Sequence, residues 1–201
     1  AQALHLHPRD AAAEESLAPD DVSAVLDAVR AAVPGMPVGV GTGAWIAPGG
    51  RARQALIQGW TVLPDYASVN LVEDDAPEVI EILLSKGIGV EAGIWTAADA
   101  ERLVDNGLGP RCLRVLMEMM STDGEEAVRE CEAAMAVLAA AEIDRPLLVH
   151  GQDGSQWPMV VFAKERGIDA RVGFEDGLLL PDGRPAPSNA ALVRAAVEIL
   201  G

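Results

Sequence analysis

The sequence predicts an α/β protein built on a (β/α)₈ barrel plan. Three observations carry this. One strand–helix unit recurs along the whole chain, the loops between units are short, and polar groups gather at the carboxyl ends of the strands. Regular βα repetition means parallel strands joined by right-handed crossovers.

The elements follow in order. "ALHLHP" alternates apolar and imidazole side chains with the period of a strand, and a helix from about Pro19 to Val33 starts on the acidic "APDD". "MPVGVGTG" is a strand ending in glycine, with a helix over "RARQALIQG". "YASVNLV" precedes a helix over "APEVIEILLSKG". "IGVEAGIW" precedes "TAADAERLVDNG", which has Thr96 as N-cap and Gly107 as stop. "CLRVLMEMM" leads to a long helix from Ser121 to Ala141. "RPLLVHG" leads to a helix from about Gln156 to Arg166. "IDARVGFED" is the last strand, and "SNAALVRAAVEIL" is the closing helix, capped by Ser188 or Asn189.

These are seven units, one short of a full barrel, and the chain begins directly on a strand. The expectation is a single domain over residues 1–201 that lacks an initial βα unit of about 35–40 residues. An open doubly wound sheet is the other arrangement of such units, but it does not need polar groups at nearly every strand end.

Composition excludes several function classes. A net charge of −16 repels nucleic acid and anionic lipid, and aromatic residues are 3 % of the chain, too few for base-stacking platforms. No apolar run reaches the ~18 residues of a membrane span. The two cysteines, Cys112 and Cys131, form neither a metal pair nor a disulfide framework. They read as core thiols, and a reducing cytoplasm is the expected location.

The strand ends carry His5, His7, Arg9 and Asp10; Thr42; Ser68 and Asn70; Glu91; Glu118; His150; and Arg171, Glu175 and Asp176. All three histidines of the chain belong to that set. His5 and His7 leave one face of a strand roughly 6–7 Å apart, a spacing at which two imidazoles can hold one metal ion. Hydrogen-bonded core histidines are the plainer reading. In "ARVGFEDG", alternation would place Arg171, Gly173 and Glu175 on one face. A buried carboxylate there must be paired or bound to a cation. Glu175 is thus either a third ligand beside His5 and His7 or the partner of Arg171. "HGQDGSQW", with Gly151 and Gly154, is a glycine loop that could receive a pyrophosphate on backbone N–H groups, or simply a βα connection.

His5-Leu-His7-Pro-Arg9-Asp10 together with Arg171-Val-Gly-Phe-Glu175-Asp176 resembles the β-keto acid cleavage enzymes, whose founding activity is 3-keto-5-aminohexanoate cleavage. The tail "PAPSNAALVRAAVEIL" resembles that family's last helix. The resemblance implies a zinc-dependent (β/α)₈ barrel, a dimer or tetramer, that converts a β-keto acid and acetyl-CoA into acetoacetate and a new acyl-CoA. It implies His5, His7 and Glu175 as zinc ligands, Asp176 as general base, Arg171 as the group orienting base and substrate, and Thr42 at the substrate carboxylate. Ser68, Glu91 and His150 are further expected substrate contacts, and Gly151 and Gly154 the expected CoA-phosphate loop. The chain departs from the family pattern at Glu91-Ala92-Gly93, where a second glutamate is usual, at "SVNLVEDD", and at His150.

Two other function classes fit parts of the pattern. An amidohydrolase-like hydrolase also carries His-x-His on a strand, with His150 and Asp176 available for later positions. It would need more histidines, or a lysine at a strand end. A non-catalytic barrel binding a metabolite is the third, and zinc content separates it from both enzymes.

Overall fold

The computed structural model describes residues 1–47 and 49–201. Among the described residues seven strands alternate with seven α-helices, so the α/β class and the repeating βα unit are as expected. The strands are β1 Leu4–Leu6, β2 Val38–Gly41, β3 Tyr66–Asn70, β4 Gly89–Ile94, β5 Arg114–Met119, β6 Leu147–Gly151 and β7 Asp169–Ala170. The helices are α1 Pro19–Ala32, α2 Arg51–Gln58, α3 Ala76–Ser85, α4 Ala97–Asp105, α5 Gly124–Ala140, α6 Gln156–Arg166 and α7 Asn189–Leu200. The strand order follows the chain, β1 to β7, and β1–β2, β2–β3, β5–β6 and β6–β7 pair in parallel. No helix among the described residues is long and apolar enough to cross a membrane.

Local chemistry sets the helix bounds. Thr96 caps α4 in a capping box with Asp99, and Gly107 follows it at φ +69°. Asp123 caps α5 by accepting the Glu126 N–H, so this helix starts three residues after Ser121. Ser188 caps α7 by accepting the Ala191 N–H, which decides between the two candidate caps.

By its contacts the chain forms two compact units, 1–92 with 111–113, and 93–110 with 114–201. In the first, Val38, Val40, Ala67 and Val69 of β2 and β3 pack with Val22 and Leu26 of α1, Ile57 of α2 and Val79, Ile80 and Leu83 of α3 in a fully buried core. Tyr66 donates its hydroxyl to the Leu4 carbonyl at 2.6 Å, and its ring occupies the space over Gly39 that any β-carbon there would fill. In the second, Val115, Leu116 and Met117 of β5 pack with Leu148 and Val149 of β6, Ala127, Cys131 and Ala134 of α5, and Met159 and Val160 of α6. Cys112 and Cys131 are both buried, as core thiols should be. Burial pushes the Cys131 thiol up to about 12; Glu132 adds to this and Arg166 opposes it.

The last strand differs from the sequence reading. β7 has two residues, not nine. Arg171 still pairs its N–H with the Val149 carbonyl, but the chain then turns, with the N–H groups of Asp176 and Gly177 both on the Gly173 carbonyl. The alternation in "ARVGFED" is therefore not a strand face. The turn replaces it, and it brings Arg171 to a residue five positions on, which an extended strand holds roughly 16 Å away.

Candidate functional site

In the first unit the site begins at His5 and His7. Their rings lie 5.4 Å apart between centroids, inclined at 61°, so they do share one side of the chain. His5 Nδ1 stands 3.6 Å from the Glu91 carboxylate, which is almost fully buried. His7 Nδ1 is 3.0 Å from Glu15 Oε2. The Trp45 indole N–H donates to the same oxygen at 3.0 Å, and its ring stacks on His7 at 6.3 Å with an 18° interplanar angle. Burial raises the Glu15 pKa, but the hydrogen bonds from Trp45 and His7, and the charges of His7 and Arg9, hold it below its ordinary range.

The "PRD" that follows the histidines builds this arrangement. Asp10 Oδ1 accepts the N–H groups of Ala12 and Glu14, closing a loop with Ala13 at φ +66°. Arg9 donates to the Ala13 carbonyl at 2.7 Å and lies 3.6 Å from Glu15. The loop thus returns Glu15 to His7. Gly41 has its own role: a β-carbon there would come within 2.6 Å of the His7 ring.

Thr42 is fully buried, donates its hydroxyl to the Ser68 carbonyl at 2.6 Å, and accepts Arg53 Nη1 on its own carbonyl at 3.0 Å. Arg53, with no exposed side chain, also binds the carboxylates of Glu73 and Asp75. These carboxylates accept the backbone N–H groups of Ala44 and Gly50, both at 2.8 Å. Arg53, Glu73 and Asp75 thereby fix the loop that carries Thr42 and Trp45. Beside them lies a cavity of about 590 Å³ lined by Ala44, Gln54, Glu73 and Asp75 among others.

In the second unit the site is built around Arg171, His150 and Asp176. Arg171 Nη2 donates to Asp176 Oδ1 at 3.0 Å, and His150 Nδ1 reaches the same oxygen at 3.0 Å. Arg171 also lies 3.6 Å from Glu175, which is half exposed. Burial raises the Asp176 pKa, but the hydrogen bond and charge of His150 and the charge of Arg171 outweigh it, and the carboxyl is held below its ordinary range. Burial likewise lowers the Arg171 pKa, and the charges of Asp176, Glu175 and Glu118 reverse that and raise it. His150 faces Glu118 across the β5–β6 pairing, with Nε2 3.7 Å from Glu118 Oε1. The Trp95 indole N–H donates to Glu118 Oε2 at 3.1 Å.

The glycine loop after β6 is tight rather than loose. Gly151 and Gly154 are required by packing: a β-carbon would come within 2.5 Å of the Ser155 hydroxyl or the Thr122 carbonyl, respectively. Asp153, at φ +48°, donates its N–H to the Asp176 carbonyl at 2.6 Å, so this loop is anchored to the turn after β7.

Of the residues singled out by sequence, the structure brings together His5 with His7 and Glu91, Thr42 with Ser68, and His150 with Arg171, Asp176 and Glu175. Sequence reasoning missed Glu15, Trp45, Trp95 and the Arg53–Glu73–Asp75 network. Only Glu15 had a local signal, the turn-forming Asp10 between it and His7.

All 201 residues match the family described as beta-keto acid cleavage enzyme. The chain belongs to this family. Among solved structures it is similar to ObcA in its binary complex with oxaloacetate, at 17 % identity and a TM-score of 0.71, covering 96 % of this chain and 58 % of that one. A ternary complex of ObcA with a C4-CoA adduct and oxalate gives 18 % identity and a TM-score of 0.75, covering 100 % of this chain and 60 % of that one. A 3-dehydroquinate dehydratase from Geobacillus kaustophilus HTA426 is more distant, at 11 % identity and a TM-score of 0.57, covering 90 % and 73 %. At these identities the solved structures speak for the fold. The chain spans about 60 % of ObcA. No curated protein matches it by sequence.

Proposed function

We propose that this protein is a zinc-dependent β-keto acid cleavage enzyme on a single-domain (β/α)₈ barrel, converting a β-keto acid and acetyl-CoA into acetoacetate and a new acyl-CoA. The observation that carries this is the carboxylate behind each histidine of the His-x-His pair, in a member of this family. A metal-binding imidazole commonly gives its second nitrogen to a carboxylate, which fixes tautomer and ring orientation. Glu15 stands in that position for His7 and Glu91 for His5. The donor set of His5, His7 and Glu175, two imidazoles and a carboxylate with one position left open, suits a catalytic zinc. Bound there, zinc would act as a Lewis acid on the substrate's keto oxygen.

The protein's own residues supply the rest. Asp176, ionised beside Arg171 and His150, takes a proton from the carbon between the keto group and the carboxylate. That carbon bonds to the acetyl carbonyl carbon while the acetyl C–S bond breaks and CoA leaves as its thiolate. The thiolate adds to the original keto carbon, the bond from that carbon to the central carbon breaks, and Asp176 returns the proton to the central carbon. Acetoacetate keeps the carboxylate, and the displaced acyl group leaves as its CoA ester. Arg171 orients Asp176 and offsets the negative charge that develops on the substrate. Thr42 and Ser68 serve the carboxylate end, and the 151–154 turn serves the CoA phosphates. The ObcA complexes with oxaloacetate and with a C4-CoA adduct support the choice of a keto acid and a CoA ester. A dimer or tetramer in a reducing cytoplasm completes the reading.

The test is metal analysis of protein purified without chelator, with a panel of β-keto acids and acetyl-CoA read out as acetoacetate. Bound zinc, lost in His5→Ala and His7→Ala along with turnover, is the expected result. A metal-free, fully active protein, or hydrolysis of amides or lactones without CoA, would overturn it.

A further inference from the structure

Trp45 is 60 % exposed, so burial in the core does not hold it. Other contacts do. Its indole N–H donates to Glu15 Oε2 at 3.0 Å, and its ring stacks on His7 with an 18° interplanar angle. The ring also covers Gly43, where a β-carbon would come within 2.3 Å of it. The backbone beside it is fixed as well. Ala44 donates its N–H to Glu73 Oε1, and Glu73 is bound to the fully buried Arg53. Ile46 donates its N–H to the Gly43 carbonyl at 3.0 Å, closing a turn around Trp45.

What this fixed indole holds is the carboxylate behind His7. Glu15 Oε2 receives Trp45 Nε1 and His7 Nδ1 together, both at 3.0 Å. Glu15 is 26 % exposed, and keeping a partly exposed carboxylate in one geometry costs side-chain entropy. The second bond, from a group already in place, offsets that cost. An ionised carboxylate only accepts, so the hydrogen in its contact with His7 sits on Nδ1. A metal-binding imidazole carries its hydrogen on the nitrogen away from the metal, which leaves Nε2 as the metal nitrogen of His7. The Nε2 edge of the ring lies over Gly41, where a β-carbon would come within 2.7 Å. We infer that Trp45 is a positioning residue for His7, fixing Glu15 on Nδ1 so that Nε2 is the nitrogen offered to the metal. The inference rests on the proposed zinc site.

The experiment is zinc affinity by chelator competition in the unaltered protein, Trp45→Phe, Glu15→Gln and the double variant. Trp45→Phe keeps a stacking ring and removes the N–H. It should weaken zinc binding by about tenfold. In the Glu15→Gln background the same change should weaken it little further, because the indole acts through that carboxylate. A ¹⁵N spectrum of the zinc-loaded, unaltered protein should show hydrogen on His7 Nδ1 and metal on Nε2. This reading does not depend on how the variants fold. Undiminished zinc affinity in Trp45→Phe, an equal loss in both backgrounds, or metal on Nδ1 overturns the inference and leaves the zinc site standing. An unaltered protein that binds no zinc overturns the proposed function together with the inference. Zinc held in the expected way, with no acetoacetate from the keto acid panel, leaves Trp45 in its role and removes the proposed reaction.

Discussion

Arg53 and Arg171 each face a pair of carboxylates, yet they are used differently. Arg53 is fully buried, and its partners Glu73 and Asp75 are shared with the backbone of one loop through Ala44 and Gly50. Arg171 is partly exposed, and its partner Asp176 is shared with another side chain, His150, whose far nitrogen has no partner among the described residues. One network spends its charge on holding chain in place. The other keeps bonding capacity for something else to complete. Charge count alone would rank the two clusters alike, and the second partners of Glu73, Asp75 and Asp176 separate them.

The sharpest way to test this contrast is to remove one group from each network and read both turnover and stability. Asp176→Asn removes the base and should cut acetoacetate formation by about 10²–10⁴-fold in the panel assay. Zinc content should stay unchanged, because Asp176 is not one of the proposed ligands. Arg53→Met should instead show its effect in urea unfolding, at about 3–5 kcal/mol, because it strands two carboxylates in the interior. If Arg53→Met unfolds no more easily than Arg171→Met, the division between a holding and a working network is wrong.

A smaller effect falls on the first unit. Glu15→Gln removes the charge behind His7 and should weaken zinc affinity by about 10- to 100-fold in a chelator competition. Unchanged affinity would mean that Glu15 is only a loop residue. The smallest effect is on pH-dependent stability. Asp176 has a folded-state pKa below its ordinary 3.8, so its contribution is complete above that value and is lost only as pH falls through the lower one. Unfolding midpoints of the unaltered protein and Asp176→Asn should therefore differ above about pH 4 and converge in stronger acid.

Much of the fold was legible in the sequence because glycine, proline and capping residues punctuate each unit. Thr96 and Gly107 bracket α4 as read, and the start at Pro19 holds for α1. The last strand was misread because Arg171, Gly173 and Glu175 mimic a period of two where the chain in fact turns at Gly173. Of the site, His5 with His7 and Arg171 with Asp176 could be found by spacing and motif. Arg53 could not, because in sequence it is an unremarkable arginine in the first turn of α2, and its partners lie 20 and 22 residues away. Trp45 and Trp95 were silent for the same reason: their meaning is in what their indole N–H groups touch.

Trp45 has an optical consequence. Its ring lies stacked on His7, its N–H is bound to the carboxylate behind that histidine, and 60 % of its surface is open to water. Trp60 is shielded, with its N–H on the Leu17 carbonyl. A change of charge at the His7 imidazole would therefore be written into the emission of Trp45, against a background from Trp60, Trp95 and Trp157. The protein carries its own fluorescent gauge for whatever binds at His7, readable without label or coupled assay.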